Sequence, residues 1–480
     1  MGPWRFSYCQ LALSILLLGV AGGCGSDGDY SPGDSPPVTE KLALAESTYW
    51  GGSVCGDGAT HGRAMALDAA GCVYLAGETQ SPSFPVKNPV QGVAGGGSAG
   101  FVTKFTADGQ AVVYSTLVGS SGSHEWCTGI AVDAAGNAVV VGLAGAADFP
   151  LRDPIYDTFT DEWECGFLLG IAPSGGSLNF STLIPQGVPT AVALGPDGAI
   201  YLATSSNHVL KVSADGRRLL YDFQLDEASR GTWIEAISVD GLGRVWLTGY
   251  ADSGFTPLLN PLQPAVSLHG DEALVARVNA AGTALDFSTL LGGTDEDFGQ
   301  RIALGGDGLV YVLGSTNSRD FPVRNAANGR GHGDYDGFLV KIDPEASRLL
   351  YATYVGGDGE DHLAGLAVTA TGEVWIAGLT TSSDLPVTGS YQDHLAGVKD
   401  ALLAKLSADG AHWLAMSYFG GSQTANHSEV GADWCTDLAL GGDGKVYLTG
   451  ETYSSDFPLK SALDPVYSLP KAFLAEFREL

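Results

Sequence analysis

The amino-acid sequence predicts an all-β fold built from repeated, four-stranded antiparallel units, and three observations lead to this prediction. First, 68 of the 480 residues are glycine, about twice the usual share of roughly 7%. Second, hydrophobic residues make up 45% of the chain, enough to bury a large core. Third, an apolar strand, a turn ending in glycine and a second apolar strand recur along the chain, which is typical of β-hairpins.

The charge balance narrows the classes of function. The chain has 24 Lys and Arg residues against 54 Asp and Glu residues, a formal net charge of −30. Only 16% of its residues are charged, compared with roughly 25% in an average soluble domain. The protein is therefore acidic because it lacks cations. A charge of this sign repels phosphate, so we expect no nucleic-acid partner.

Residues 1–23 have the features of an export signal. Arg5 precedes the apolar run Leu11–Val20, and small residues lead up to Cys24. This order is typical of a secretory signal peptide, and the run is shorter than the roughly 20 residues that cross a bilayer. A cysteine directly after small residues resembles the lipobox of bacterial lipoproteins, in which that cysteine is lipidated. An ordinary cleaved signal with an incidental cysteine is the alternative.

The segment that follows predicts a flexible tether. Residues 24–41 contain almost no large apolar side chain, so they cannot bury enough surface to offset the entropy of ordering. A lipid on Cys24 and this tether would hold a globular body on the bacterial cell envelope, at the outer membrane or cell surface. The lipid anchor is the only membrane contact that we expect.

The recurring hairpin accounts for the rest of the chain. Its seven copies start near Ala64, Gly129, Ala191, Ala236, Arg301, Gly365 and Asp437. Most copies continue into a loop with an aromatic–Pro step and a second hairpin, which gives four antiparallel strands, A to D, per copy. That is the make-up of one β-propeller blade. The third copy lacks the proline loop but keeps all four strands.

The ends of the chain predict how the ring closes. The last copy supplies only three strands, whereas an unassigned strand, Leu42–Trp50, precedes the first copy. Its Ser47-Thr48 step aligns with Ser115-Thr116, which lies in an outer D strand. We therefore predict a seven-bladed propeller over residues 42–480 whose last blade is completed by the N-terminal strand, leaving no free edge there.

These repeats resemble those of a known family. The Ser-Thr-x-x-Gly step at Ser115–Gly119, the glycine-turn hairpins and the Asp-Phe-Pro loop at Asp148–Pro150 are similar to the SBBP (seven-bladed β-propeller) repeats of bacterial surface and secreted proteins. The resemblance implies the propeller fold and a location outside the cytoplasm. It implies no particular reaction.

A candidate ligand site lies where the A strands begin, at the mouth of the central channel. Aromatic rings beside carboxylates could stack on sugars and accept their hydroxyl protons, or carboxylates and imidazoles could hold a divalent cation. The tryptophans could instead simply cover the end of the channel. The candidate residues are Glu125, Trp126, Trp233, Asp297, Asp361, His362, Asp433 and Trp434.

Cysteine positions suggest two disulfides in an exported protein. Cys127 and Cys165 are expected on the same face of blade two, and Cys55 and Cys435 on the same face near the ring closure. We therefore predict the pairs Cys127–Cys165 and Cys55–Cys435.

The sequence contains no complete catalytic motif. The leading hypothesis is accordingly a monomeric, lipid-anchored binding or scaffolding module for a protein or glycan ligand. The alternative is a metal-assisted lyase or hydrolase acting on an extracellular polysaccharide or peptide, since loops with His and acidic residues at a channel mouth could build such a site.

Overall fold

The computed structural model describes residues 41–480 apart from 53–57, 94, 123, 161–164, 226–230, 253, 256, 264–269, 344, 346, 424–430 and 467–469. The predicted signal peptide and Cys24 lie outside the described residues, as does all but the last residue of the predicted tether. None of the described residues belongs to a helix long and apolar enough to span a bilayer.

The described chain forms seven four-stranded antiparallel sheets. Blade one contains β2 (Thr60–Leu67), β3 (Val73–Thr79), β4 (Ala99–Phe105) and β5 (Val112–Val118). Blade two contains β6 (Trp126–Val132), β7 (Ala138–Leu143), β8 (Gly166–Ile171) and β9 (Leu178–Ile184). Blade three contains β10 (Pro189–Leu194), β11 (Ile200–Thr204), β12 (His208–Val212) and β13 (Leu219–Gln224).

The remaining blades follow the same plan. Blade four contains β14 (Trp233–Val239), β15 (Val245–Asp252), β16 (Asp271–Val278) and β17 (Leu285–Leu291). Blade five contains β18 (Asp297–Leu304), β19 (Val310–Thr316), β20 (Asp336–Asp343) and β21 (Arg348–Val355). Blade six contains β22 (Asp361–Val368), β23 (Val374–Thr380), β24 (Asp400–Leu406) and β25 (Trp413–Phe419). Blade seven contains β26 (Asp433–Leu440), β27 (Val446–Thr452), β28 (Lys471–Glu479) and β1 (Leu42–Trp50).

The first strand of each blade, strand A, lies innermost. These strands are edges of their sheets, and each contacts the A strand of the next blade, with β26 contacting β2. The seven blades therefore close into a ring around a central channel, and the predicted all-β, seven-bladed propeller is confirmed.

The closure of the ring is also confirmed. β1 pairs antiparallel with β28, from Leu42 opposite Glu479 to Trp50 opposite Ala472. The two ends of the chain thus share one sheet, which leaves blade seven with four strands like the others. Tyr49 in β1 is only 1% exposed, so the closing strand is part of the core.

The hydrophobic core lies between blades rather than within them. Seven buried clusters fill the described part of the chain, one at each interface between neighbouring blades. At one interface, Trp246 and Phe287 of blade four meet Phe338 and Tyr354 of blade five. The strands read as nearly continuous apolar runs because both faces of each sheet are covered.

A cross-strand pair of an aromatic ring and a cation recurs in five blades. The aromatic residue lies on strand B and the Lys or Arg directly opposite on strand C. The cation lies 4.7–5.5 Å from the ring centroid, a favourable cation–π distance. The pairs are Tyr74–Lys104, Tyr201–Lys211, Trp246–Arg277, Tyr311–Lys341 and Trp375–Lys405. Several of the chain's few cations are therefore used to fix the packing of blades.

Candidate functional site

Each A strand contains a β-bulge near its start, and this sets which side chains reach the channel mouth. In β18 the register shifts between Gly299 and Arg301, and all seven A strands have the equivalent shift. A bulge re-aims the side chains on either side of it. The residues before the bulge form the end of the strand that opens onto the D–A and B–C loops, where the candidate site was predicted.

Consecutive residues at this end have different environments. In blade five Asp297 is fully buried whereas Phe298 is partly exposed, and in blade seven Asp433 and Trp434 repeat the pattern. This alternation is the period-two geometry of a strand. The partly exposed set, here called the mouth residues, consists of His61, Trp126, Trp233, Phe298, His362 and Trp434.

Aromatic neighbours support several of the mouth residues. The Tyr453 ring is tilted by 30° relative to Trp434, with ring centroids 5.4 Å apart. Tyr250 meets Phe298 edge-to-face at 5.2 Å. Tyr335 lies 5.8 Å from the His362 ring. Such contacts restrict the rotation of the mouth rings.

Charged groups lie between the aromatic rings in blades one, two and seven. His61 Nδ1 lies 2.8 Å from Glu451 Oε2, and Arg63 Nη2 lies 2.9 Å from Glu78 Oε1. The Arg63 guanidinium also lies 5.9 Å from the centroid of Trp126. Burial lowers the pKa of His61, but its hydrogen bond to Glu451 and the two nearby carboxylates outweigh that effect and raise the pKa above its ordinary value.

His362 has the opposite electrostatic setting. Burial lowers the pKa of its imidazole, an effect that Glu360 only partly offsets. His362 is therefore a neutral, ring-shaped hydrogen-bonding group near neutral pH. The mouth thus combines three tryptophans and a phenylalanine with one histidine that favours its charged form and one that favours its neutral form.

The predicted aspartates serve a different purpose. Asp297, Asp361 and Asp433 are each 0% exposed. In each, Oδ2 accepts a hydrogen bond from a glycine N–H of the preceding D–A loop at 2.7–2.9 Å and from a serine hydroxyl that follows strand B at 2.7–2.9 Å. The donors are Gly293 and Ser318, Gly357 and Ser382, and Gly421 and Ser454. Each aspartate therefore ties two loops to the start of strand A.

Glu125 occupies the equivalent position in blade two. It is 1% exposed, and its Oε1 accepts hydrogen bonds from the Ser120 N–H at 2.6 Å, the Gly145 N–H at 3.2 Å and the Ser120 hydroxyl. Burial raises the pKa of the Glu125 carboxyl despite these hydrogen bonds. It is a loop brace like the three aspartates.

Burial also controls the protonation of the aspartates. It raises the pKa of Asp297 and Asp361 to about 6 and that of Asp433 to about 7, against the opposing effect of their hydrogen bonds. Nearby acidic groups add to the shift, since Asp336 acts on Asp361 and Asp400 acts on Asp433. A Cβ at Gly420 would lie 2.5 Å from Asp400 Oδ1 and 2.9 Å from Asp433 Oδ2, so this glycine separates two carboxyl groups.

The structure thus divides the eight predicted site residues into two groups. Trp126, Trp233, His362 and Trp434 lie at the channel mouth, and the four carboxylates lie in the seams between blades. Among the residues that the structure describes, no three His, Cys, Asp or Glu side chains are grouped so that they could hold a metal ion. Each of the four buried carboxylates accepts hydrogen bonds from loop groups through one of its oxygens.

A layer of charged residues lies one step deeper in the A strands. Arg301 Nη2 donates to the Thr436 carbonyl at 3.2 Å, and its charge acts on Glu235 and Asp437. Burial raises the pKa of both acids, and Arg301 opposes that shift. Asp437 also accepts the Met65 N–H at 2.8 Å, so this layer joins blades seven and one below the mouth.

Two mouth residues, His61 and Phe298, were not among the predicted site residues. Their position at the start of strand A identifies them. Asp297-Phe298 stands where Asp361-His362 and Asp433-Trp434 stand, with a buried polar residue followed by a ring, and Thr60-His61 follows the same rule.

The predicted disulfide between Cys127 and Cys165 is not formed. Both residues are buried free thiols. Cys127 pairs with Gly142 in β7, and the Cys165 carbonyl accepts the Ala144 N–H on the other side of that strand. The two cysteines are thus separated by a whole strand, or about 10 Å, beyond the roughly 7 Å between Cα atoms that a disulfide bridges.

The second predicted disulfide involves Cys55, which lies outside the described residues. Its predicted partner Cys435 is buried, and burial raises the pKa of its thiol. The Cys55–Cys435 pairing remains a prediction.

No protein-family model matches the chain, and no curated protein is similar to it. Membership of the SBBP repeat family therefore remains a prediction from the repeat motifs. The architecture itself, a closed ring of seven four-stranded blades, is what the structure establishes.

Proposed function

We propose that this propeller is a binding module whose ligand occupies the channel mouth, and that the ligand is a glycan. The observation that carries the proposal is the ring of partly exposed Trp, Phe and His side chains at the starts of six of the seven A strands. Flat aromatic faces stack on sugar rings, and a concave site with a few fixed polar groups orients them.

The polar groups between the rings favour a sugar over an apolar ligand. Glu78, Glu451 and the His61 imidazole supply acceptors and donors in fixed positions at the mouth. The large hydrophobic side chains that are more than a third exposed among the described residues, such as Val93, Leu220 and Leu242, belong to loops and outer strands. A protein ligand at the mouth is the competing outcome of the experiment below.

The metal-assisted lyase or hydrolase receives no support from the geometry. Its proposed acidic groups, Glu125 and Asp433, are buried and bonded to loop N–H and hydroxyl groups. Glu125 is 1% exposed and Asp433 is 0% exposed, so neither carboxylate could reach a substrate unless the loops rearranged.

Export and lipid anchoring belong to this proposal and rest on the sequence alone. The apolar run Leu11–Val20, the cysteine at position 24 and the polar segment after it would place the mouth outside the cytoplasm, where polysaccharides are available as ligands. Incorporation of labelled palmitate into the full chain, and its loss in Cys24→Ala, tests this part.

The experiment for the ligand is a glycan array run in parallel with a pull-down from envelope extract. The test variant is Trp126→Ala/Trp233→Ala/Trp434→Ala, and the control is Tyr391→Ala, an aromatic that is 39% exposed on the outer rim. We expect specific glycans to bind the wild-type protein and the control but to bind the triple variant at least tenfold more weakly, since an aromatic anchor contributes about 2 kcal/mol. Binding of proteins alone, or equal glycan binding by all three, would contradict the proposal.

A further inference from the structure

Six of the seven blades cover the outer edge of strand D with a segment of their own loop. The loop after strand B runs back along strand D and forms an isolated antiparallel bridge with it. The bridging pairs are Lys87–Ser115, Arg152–Ser181, Leu259–Ser288, Arg324–Ala352, Thr388–Met416 and Lys460–Ser47. The proline loops found in the sequence therefore act as short fifth strands.

The contact is a genuine strand addition. In blade one the Lys87 N–H donates to the Ser115 carbonyl at 2.9 Å, and the Ser115 N–H donates to the Lys87 carbonyl at 2.8 Å. The Ser115 hydroxyl also donates to the Pro85 carbonyl at 2.6 Å. The same three bonds recur in blade two, with Arg152, Ser181 and Pro150. Main-chain hydrogen bonds thus satisfy the bridged residue at the outer edge of the D strand in the six covered blades.

Blade three lacks this cover. Its strands β11 and β12 are joined by a tight turn in which Asn207 has a φ of 62° and its N–H donates to the Thr204 carbonyl. In β13, Asp222 takes the place of Ser115 and Gln224 takes the place of Leu117, as their strand pairing shows. Within the described residues, no loop backbone bonds to the outer edge of Asp222 or Gln224.

Exposure confirms that the cover is missing. Alternate side chains of β13 are exposed, and Leu220 is 48% exposed. The equivalent serines in blades one and two, Ser115 and Ser181, are 1% and 0% exposed. β13 is therefore an open edge strand, the structure that most readily adds a further strand.

The charge at this edge indicates what kind of strand would fit. In four of the six covered blades the bridging loop residue is basic: Lys87, Arg152, Arg324 and Lys460. In blade three the position that would face it is Asp222, whose carboxylate is held 2.6 Å from His208 Nδ1. The edge thus presents a fixed acidic group where the other blades receive a cation.

We propose that the outer edge of β13 is a docking site for an extended segment of a partner polypeptide. The segment adds to the sheet as the chain's own loops do elsewhere and places a Lys or Arg opposite Asp222. A second copy of this chain is a poor occupant, because two bodies with a net charge of −30 repel each other. The site is on the rim, so it is independent of the ligand proposed for the channel mouth.

The probe is a peptide with the chain's own covering sequence, residues 148–156 (DFPLRDPIY). Amide hydrogen exchange of the folded protein is measured with and without it. We expect the amides of Asp222 and Gln224 to exchange much faster than those of Ser181 and Leu183 in the free protein, and to become protected when the peptide is added. Protection of Asp222 and Gln224 in the free, dilute protein would overturn the proposal, as would protection that rises with protein concentration alone.

Fluorescence anisotropy of the labelled peptide tests the role of charge. We expect Asp222→Lys to weaken binding about tenfold or more, and the peptide with Glu in place of its Arg to restore binding to that variant. Asp443→Lys, at an exposed turn of blade seven, is the control and should bind like the wild type. Equal affinity of both peptides for all three proteins would contradict the proposal, and because the exchange experiment uses the wild type, it stands even if a variant does not fold.

Discussion

In blades five, six and seven the first two residues of strand A have separate tasks. In blade seven Asp433 ties the D–A and B–C loops to the strand, while Trp434 is left at the mouth. Both are site candidates in the sequence because they are adjacent, although the period of two in a strand places their side chains on opposite faces. Polarity alone does not distinguish a loop brace from a ligand-binding carboxylate.

Substitution of Asp433 separates hydrogen bonding from charge. Asp433→Ala leaves the buried Gly421 N–H and Ser454 hydroxyl without their acceptor, so the free energy of unfolding should fall by about 2–3 kcal/mol. Asp433→Asn keeps an acceptor oxygen and should change the free energy of unfolding by less than about 1 kcal/mol. Urea unfolding followed by circular dichroism measures the free energy of unfolding of both variants. An equally large loss of stability in the two would contradict the interpretation that Asp433 ties the loops together as an uncharged carboxyl.

The buried aspartates also predict an unusual dependence of stability on pH. Their folded-state pKa values, about 6 for Asp297 and Asp361 and about 7 for Asp433, lie above the ordinary value of 3.8. Between these values the folded protein binds more protons than the unfolded chain. The stability that these groups contribute is therefore complete below about pH 4 and is lost as the pH rises through 6 to 7.

We expect the urea midpoint to be higher at pH 5 than at pH 8, with a loss on the order of 1–3 kcal/mol per aspartate. The variant Asp297→Asn/Asp361→Asn/Asp433→Asn should flatten the profile and isolate these groups from His61, whose raised pKa acts in the same direction. A midpoint that rises with pH, or a profile that the triple variant leaves unchanged, would show that these carboxyls are ionised in the folded state.

At the level of strands and loops, the sequence predicted some features well and others not at all. The seven predicted hairpins begin at Ala64, Gly129, Ala191 and their equivalents, each directly after the bulge in strand A. The recurring hairpin is thus the regular part of the blade, where alternation and glycine turns carry the signal. The residues before each bulge follow a different phase, and there the sequence did not distinguish the buried carboxylates from the partly exposed rings.

The proline loops show a second limit of sequence reasoning. Their repetition was visible, but their pairing with strand D was not, because a single bridged residue has no periodicity of its own. The prediction of the Cys127–Cys165 disulfide was wrong for a related reason. Loops on one face of a blade can be separated by a strand, as Cys127 and Cys165 are, and the order of elements along the chain does not fix that distance.

The closing strand β1 should contribute strongly to the stability of the ring. Tyr49 is buried against Phe457, with ring centroids 6.2 Å apart, and its hydroxyl donates to the Ser454 carbonyl at 3.3 Å. Tyr49→Ala should lower the free energy of unfolding by about 3–5 kcal/mol and broaden or split the thermal transition, because it loosens the only blade built from both chain ends. Tyr391→Ala, a partly exposed rim residue, is the control. Equal thermal stability of the two variants would contradict a closed ring.

For the whole molecule, the composition now has a structural explanation. Glycine marks the turns of the seven blades, several of the few cations are buried against aromatic rings, and acidic residues are divided between buried seams and exposed turns. The two proposed binding surfaces, the channel mouth and the open edge of blade three, lie on different parts of this ring.

We propose that the mouth rings bind the ligand while the neighbouring carboxylates hold the blades together. Isothermal titration of a glycan identified on the array, with Trp233→Ala and Asp433→Asn, tests it most directly when each variant's unfolding is measured alongside. We predict that Trp233→Ala weakens binding at least tenfold with little change in stability, and that Asp433→Asn alters the pH dependence of stability but leaves the affinity within about twofold. Loss of binding in Asp433→Asn with full binding in Trp233→Ala would contradict the claim.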